Sequence, residues 1–506
     1  MTSPAPETTL GQLRAHLIEI DDLTSAGNVL GWDQATYMPI QGAGARSRQV
    51  AVLGRLAHQR ATDPALGRML DSLQKYGEDL PYDHDDAALL RLARRDYDRQ
   101  TKIPTPLIAA FLEHTGNLYS TWTKARPAND FGMVRDGLAR TLDYSRQMAS
   151  YLPHDHIADP LIAASDYGMT AEKVRALFAE LRAQLVPLVQ AIMAQPPIDN
   201  NVIKQHYPAD KQLAFGVEVI KDYGYDFTRG RQDLTHHPFM TRFASGDIRI
   251  TTRIKENFLN DALFGTLHEA GHALYELGID PAYDALPLGE GTSSGVHESQ
   301  SRMWENIVGR SRGFWTHYYP KLQTYFPDQL GNVSLEIFYR AINKVQRSFI
   351  RVDADEVTYN LHVMIRFELE LALLEGSLSI DDLPTAWRDR YTSDLGITPP
   401  DDKDGVLQDV HWYGGAIGGA FQGYTIGNLI SAQLYESALA AHPSIPDEIA
   451  RGQFATLREW LTTNVYRHGA KFTADELVQR VTGRALEVAP LMRYLSGKYG
   501  TLYGLK

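Results

Sequence analysis

No cysteine occurs among the 506 residues. Disulfides, thiolate metal sites and a cysteine nucleophile are thereby excluded, so a tightly held transition metal must use histidine and carboxylate ligands. Basic charge is also in deficit: Lys and Arg number 50 against 62 Asp and Glu, a net charge of −12. A nucleic-acid partner, which wants a basic face, is not expected. No uninterrupted apolar run reaches the roughly 18 residues of a membrane span. The opening MTSPAPETTLGQLRAHLIEI lacks a basic stretch leading into an apolar one, so it does not read as a secretory signal. A cytoplasmic protein is the expectation. The rest is ordinary globular composition, with 43% hydrophobic and 22% charged residues and ample length for a large core.

Helical periodicity dominates. Apolar residues recur three and four apart in LGQLRAHLIEIDDLTSAGNVLGWDQ, from Asp85 to Arg99, across residues 171–193, from Ser334 to Phe349 and around Phe454–His468. Clusters such as IQGAGA, QPPIDNN and GITPPDD punctuate these segments. The exception is DIRITTR, Asp247 to Arg253, which alternates and is rich in β-branched residues, predicting a short strand. No linker, repeat or low-complexity segment divides the chain. The expected architecture is one large, mainly α-helical domain over residues 1–506, a division into two lobes about a cleft staying open.

The most specific signal is His268-Glu269-Ala270-Gly271-His272, inside NDALFGTLHEAGHALYELG. Residues four apart share a helical face, so both imidazoles can converge on one ion. Glu269 can reach the attacking water as general base. Leu263, Leu267, Ala270 and Leu274 form an apolar stripe that suits a packed helix. Gly271 costs about 1 kcal/mol of helix propensity, which suggests close approach by another segment.

A catalytic zinc site takes three protein ligands and keeps a position open. Glu298, in GVHESQSRMWENIVGR, lies far enough beyond His272 for a loop and a returning helix, on which Val296, Gln300, Met303 and Ile307 share one face. Glu276 and Glu305 are competing candidates, and spacing favours Glu298 only modestly.

Further motifs follow in order: LGWDQATYMPIQGAGARSRQ, then His237-Pro238-Phe239, then Asp247, Arg249 and Thr251 in an Asp-x-Arg-x-Thr pattern. HEAGH, His297-Glu298-Ser299-Gln300 and IRVDAD come next, with Arg351, Ala354 and Asp355. GVLQDVHW supplies Gly405, Gln408, Asp409, His411 and Trp412, and FQGYTIGN supplies Tyr424. Together these resemble the metallocarboxypeptidases of the Taq type, the M32 family, over nearly the whole chain. The resemblance implies a mainly α fold with a small β-sheet beside a deep active-site groove. It implies a homodimer, zinc with cobalt as a substitute, and removal of C-terminal residues from peptides with broad side-chain tolerance. It also implies that Glu298 is the third ligand beside His268 and His272.

On this footing Glu269 moves the proton, and Tyr424 with His411 beside it is the candidate donor to the developing oxyanion. Arg351 is the candidate for the terminal carboxylate, because a guanidinium offers two parallel donors. Its structural alternative is an ion pair with Asp353 or Asp355. The DIRIT strand, with Asp247 and Arg249, is a candidate edge for an extended peptide. His237 is placed with substrate by its motif, and His297 is expected to buttress its neighbour. Rival readings are a zinc endopeptidase or dipeptidase on a similar scaffold. A non-catalytic binding protein is disfavoured by the intact Glu269 and by the absence of the cysteines that structural zinc sites often use.

Overall fold

The computed structural model describes residues 6–505. Helices dominate it, and the periodic segments form as expected: Pro6–Thr36, Asp85–Lys102, Ala171–Met193 and Ala455–Asn464 are all helical. One expectation fails. The helix starting at Leu335 ends at Ile342, because the Asn343 amide bonds the Tyr339 and Arg310 carbonyls, at 3.0 and 3.2 Å. Asparagine competes with the helix for its own backbone in this way. The chain then runs irregularly to a single 3-10 turn at Arg351–Asp353. Ala171–Met193 is long and apolar enough to cross a membrane by length and composition, but Val174, Phe178, Leu181, Leu185 and Val189 are buried in the protein's own core.

The small sheet has three strands, β1 (Gln232–Leu234), β2 (Met240–Ala244) and β3 (Asp247–Thr252), in the order β1-β3-β2. β3 pairs in parallel with β1 and antiparallel with β2. Its outward alternation is modest, because Ile248, Ile250, Thr251 and Thr252 are all buried. The helix Leu259–Leu277, which carries HEAGH, packs on β3 and on the helix Ala209–Tyr223.

Two glycines bring the site together. A Cβ on Gly271 would lie 2.6 Å from the Ser301 Cα and 2.7 Å from the Gln300 carbonyl oxygen. The helix Ser294–Arg302 thus approaches the HEAGH helix at backbone distance. On its other side lies the helix Gln422–Ala441, where a Cβ on Gly427 would lie 2.7 Å from the Glu298 Cβ. The loss of helix propensity at Gly271 thus permits backbone contact. Gly271→Ala should lower unfolding free energy by about 1–3 kcal/mol through overpacking. Gly265→Ala, on the same helix with nothing nearer than 4.0 Å, should be neutral or stabilising. Urea unfolding of both variants checks the contrast.

Candidate metal centre and active site

One helical turn separates His268 from His272, and their rings sit edge-on with centroids 4.9 Å apart. The Glu298 Oε2 lies 3.7 Å from the His268 Nε2 and 3.5 Å from the His272 Nε2. One donor atom from each residue falls within 4.8 Å of the others. The second carboxylate oxygen, Oε1, accepts from the Arg302 Nε at 2.7 Å, which leaves Oε2 facing the imidazoles.

Each imidazole is held from behind. The His268 Nδ1 lies 2.9 Å from the Glu305 Oε2. The His272 Nδ1 lies 2.6 Å from the His297 Nδ1, and the His297 Nε2 lies 2.8 Å from the Glu276 Oε1. Carboxylates only accept, so a proton sits on the His268 Nδ1 and on the His297 Nε2. The His297 Nδ1 is then the acceptor for the His272 Nδ1–H. Both His268 and His272 therefore present a bare Nε2 to the centre, the tautomer that could hold a metal. Two imidazole nitrogens and one carboxylate oxygen with no thiolate fit a catalytic zinc.

The electrostatics differ between the two imidazoles: burial alone would lower His268, but Glu298 and Glu305 outweigh it and raise its proton affinity. Burial pushes the His272 imidazole down to about 3, keeping it neutral. Burial opposes ionisation of Glu305, yet Arg302, His268 and Arg310 bring it down to about 2. Glu298 is held well below the usual carboxylate range, because Arg302 and both histidines outweigh its burial. Glu269 behaves differently: burial pushes its carboxyl up to about 7, with His268 pulling down and Glu298 and Glu305 pushing up. It is 7% exposed and has no hydrogen-bond partner among the described residues, so it is free to exchange a proton. A nearby divalent cation shifts it back toward ionisation.

A second polar cluster lies close by. The Arg351 guanidinium donates to Asp409, 2.8 Å from NH2 to Oδ1, and through NH1 to the Tyr359 hydroxyl at 3.0 Å. Asp409 is shared with Arg366, which is fully buried. Two guanidiniums thus face one carboxylate, a buried excess of positive charge. Tyr359 links the clusters, since the Arg302 guanidinium carbon lies 4.4 Å from its ring centroid. Tyr424 stands between them, its ring 5.2 Å from the Arg351 guanidinium carbon and its hydroxyl 3.4 Å from the His411 Nε2. Burial, set against Asp409 and reinforced by Arg351 and Arg366, pushes His411 down to about 4.

A family model described as carboxypeptidase Taq (M32) metallopeptidase matches residues 12–499. The chain belongs to the M32 family. Thermostable carboxypeptidase 1 of Thermus thermophilus is 42% identical over 512 residues, covering 99% of this chain and 100% of that protein. Carboxypeptidase 1 of Bacillus subtilis is 36% identical over 489 residues, covering 96% and 97%. The crystal structure of an M32 carboxypeptidase from Deinococcus radiodurans has a TM-score of 0.95 and 52% identity, covering 98% of this chain and 100% of that one. The chain is thus a metallocarboxypeptidase, and peptides are its substrates.

Within this M32 site, three residues are placed differently from the alternatives the sequence offered. Of the rivals of Glu298 for the metal, Glu305 stands behind His268, and Glu276 stands behind His297, which in turn supports His272. Asp355 does not pair with Arg351; it accepts from the Gln346, Val357 and Thr358 amides and so shapes a turn. The strand-edge expectation is corrected, because β3 is the central strand and both its edges are occupied. Asp247 and Arg249 bond each other, at 2.8 and 2.7 Å, and Arg249 covers Trp32 and Phe243. His237 is exposed in the β1–β2 loop, close enough to depress His411 electrostatically. Arg302, Asp409 and Arg366 escaped the sequence reading as site residues. Asp409 stood inside a quoted motif, but nothing joined it to Arg351 across 58 positions.

Glu305→Gln keeps an acceptor for His268 but removes the charge. Titration of zinc into the chelated protein should show affinity lowered about tenfold or more; equal affinity would deny Glu305 that role. The short helix His411–Gly414 leans on Glu370, which accepts from the Trp412 indole at 2.8 Å. Burial pushes this carboxyl up to about 7. A raised folded-state pKa contributes stability below the unfolded value, about 4.3, that is lost as pH climbs through about 7. Glu370→Gln should therefore gain on wild type, by roughly 2–3 kcal/mol, between pH 4.5 and 8 in urea unfolding.

Proposed function

We propose that this M32 enzyme is zinc-dependent, with cobalt able to substitute, and removes single C-terminal residues with broad side-chain tolerance. The zinc would be held by His268, His272 and Glu298. One observation carries the reading: a buried surplus of guanidinium charge lies one aromatic residue away from a three-donor metal set. A substrate whose carboxylate neutralises that surplus has its last peptide bond brought toward the metal set. Endopeptidase activity has no use for the surplus.

When bound, zinc supplies a Lewis acid that lowers the pKa of water to about 7 and polarises the scissile carbonyl. Glu269 accepts the proton of the attacking water, and the proton then passes from the Glu269 carboxyl to the leaving amine. The Tyr424 hydroxyl donates to the carbonyl oxygen as charge develops there. Burial and the neighbouring Tyr359 push its phenol well above the usual range, so it stays a donor. His411, neutral, donates its Nε2–H to that hydroxyl, leaving the single phenolic proton for the carbonyl oxygen. Arg351 holds the terminal carboxylate with donors not spent on Asp409 and Tyr359, and His237 lies at the same end. Asp247 and Arg249 act by fixing the β2–β3 wall against Trp32. Because the carboxylate and the scissile carbonyl belong to every peptide, broad tolerance follows.

The same reading takes residues 1–506 as one catalytic unit, acting as a cytoplasmic homodimer. One contiguous buried cluster running from Leu10 to Tyr503 supports the single unit.

The deciding experiment is release of free amino acid from an N-blocked peptide by chelated protein with zinc or cobalt added back, beside Glu269→Gln. Sequential, metal-restored release that the variant lacks is expected; internal cleavage would replace this reading with the endopeptidase one. Tyr424→Phe should lower kcat more than tenfold with metal content unchanged. Arg351→Ala should mainly raise KM, Asp409 keeping Arg366 as partner, and amidated peptides should be poor substrates of the wild type.

A further inference from the structure

A cavity of about 650 Å³ opens beside His411, within the size range of small-molecule sites. Its walls are apolar: Ile103, Met148, Leu152 and Leu161 on one side, and the glycine-rich backbone of residues 414–420 on the other. Arg99 is the sole residue of fixed charge on this lining. It stands in the last turn of the helix Asp85–Lys102, half-buried, and forms no ion pair among the described residues. Its one hydrogen bond is to the Ala163 carbonyl at 3.4 Å. The neighbouring Arg94 and Arg95, by contrast, are paired with Asp71 and Asp96. Asp96 acts on it only from beyond ion-pair distance, so this half-buried guanidinium leaves donors unused in an apolar surround.

His411 joins the cavity to the reacting groups. In the reaction above, Tyr424 marks the scissile carbonyl and Arg351 the terminal carboxylate. Only the C-terminal residue lies between those two groups. His411 lies 3.4 Å from the Tyr424 hydroxyl, is within electrostatic reach of Arg351, and forms part of the cavity wall.

We propose that this cavity is the side-chain subsite for the residue being released, and that Arg99 biases it toward acidic over basic C-terminal residues. The inference rests on the roles given to Tyr424 and Arg351. Large apolar side chains fill the space against Leu152 and Leu161. A Glu side chain places its carboxylate toward the guanidinium, and a Lys or Arg side chain meets like charge in a poorly hydrated surround. The enzyme is tolerant of shape and selective in charge.

The test uses the full-length, zinc-loaded enzyme and N-blocked dipeptides ending in Glu, Lys, Phe or Ala. Wild type, Arg99→Glu, Arg99→Gln and Ala164→Trp are compared by kcat/KM, with thermal melts recording folding. The Glu:Lys ratio should fall at least tenfold in Arg99→Glu and by an intermediate factor in Arg99→Gln, which keeps the proposal testable should the charge reversal impair folding. Ala164 is exposed on the cavity rim, so Ala164→Trp fills space without entering the core and should lower the Phe:Ala ratio. Unchanged ratios in variants that still release amino acids overturn the subsite alone. If Arg351→Ala leaves KM unaltered, the axis that located the released residue falls, and the subsite falls with it.

Discussion

Around Glu298, three helices meet at backbone contact, and glycine is the residue that permits it. Gly271 lets the HEAGH helix reach the Ser301 backbone, and Gly427 lets a third helix close over the Glu298 side chain. The spacing of His268 and His272 comes free with any α-helix. The placement of a carboxylate from another helix opposite both of them does not. It depends on interaxial approach closer than side chains normally allow, so the donor set and the packing are one constraint seen twice. Burial of Glu269 to 7% exposure follows from the same closure and gives its carboxyl the raised proton affinity described above.

Around this centre the buried charges are arranged in linked pairs. Arg302 touches Glu298 and Glu305, Arg310 touches Glu305, and Arg302 lies over Tyr359, whose hydroxyl receives Arg351. Burying isolated ions is expensive, and breaking one partner of such a set strands the other. The three-donor set and the guanidinium cluster are therefore mechanically and electrostatically joined through Tyr359. At the metal end Arg302 and Arg310 match Glu298 and Glu305, whereas at the other end Arg351 and Arg366 outnumber Asp409. The imbalance gives the site a direction.

Local features were legible in the sequence. The HEAGH helix, its apolar stripe and the meaning of its glycine follow from period and propensity, and Asp247–Thr252 is a strand where alternation predicts one. Choices among residues on separate elements were not legible from spacing. Glu276, Glu298 and Glu305 all stand at plausible distances from His272, and only the packing of helix on helix decides which points at both Nε2 atoms. For the same reason Arg351 was matched with the nearby Asp353 or Asp355 rather than with Asp409. Alternation predicted the strand without predicting its neighbours, so the central position of β3 was hidden: an edge strand and a middle strand of a buried sheet read alike. The termination of the Leu335–Ile342 helix depended on an asparagine side chain finding two carbonyls, one of them on another segment.

The residues after Arg302 form a π-helical turn, Met303–Val308, directly beyond the helix that carries Glu298. Such a turn holds one residue more than a regular helix would and is an uncommon backbone state. Glu305 lies within it and reaches His268 from there. Shortening the segment by one residue would regularise the backbone while rotating Glu305 away from its imidazole. The length of this segment therefore sets backbone regularity against the support of His268.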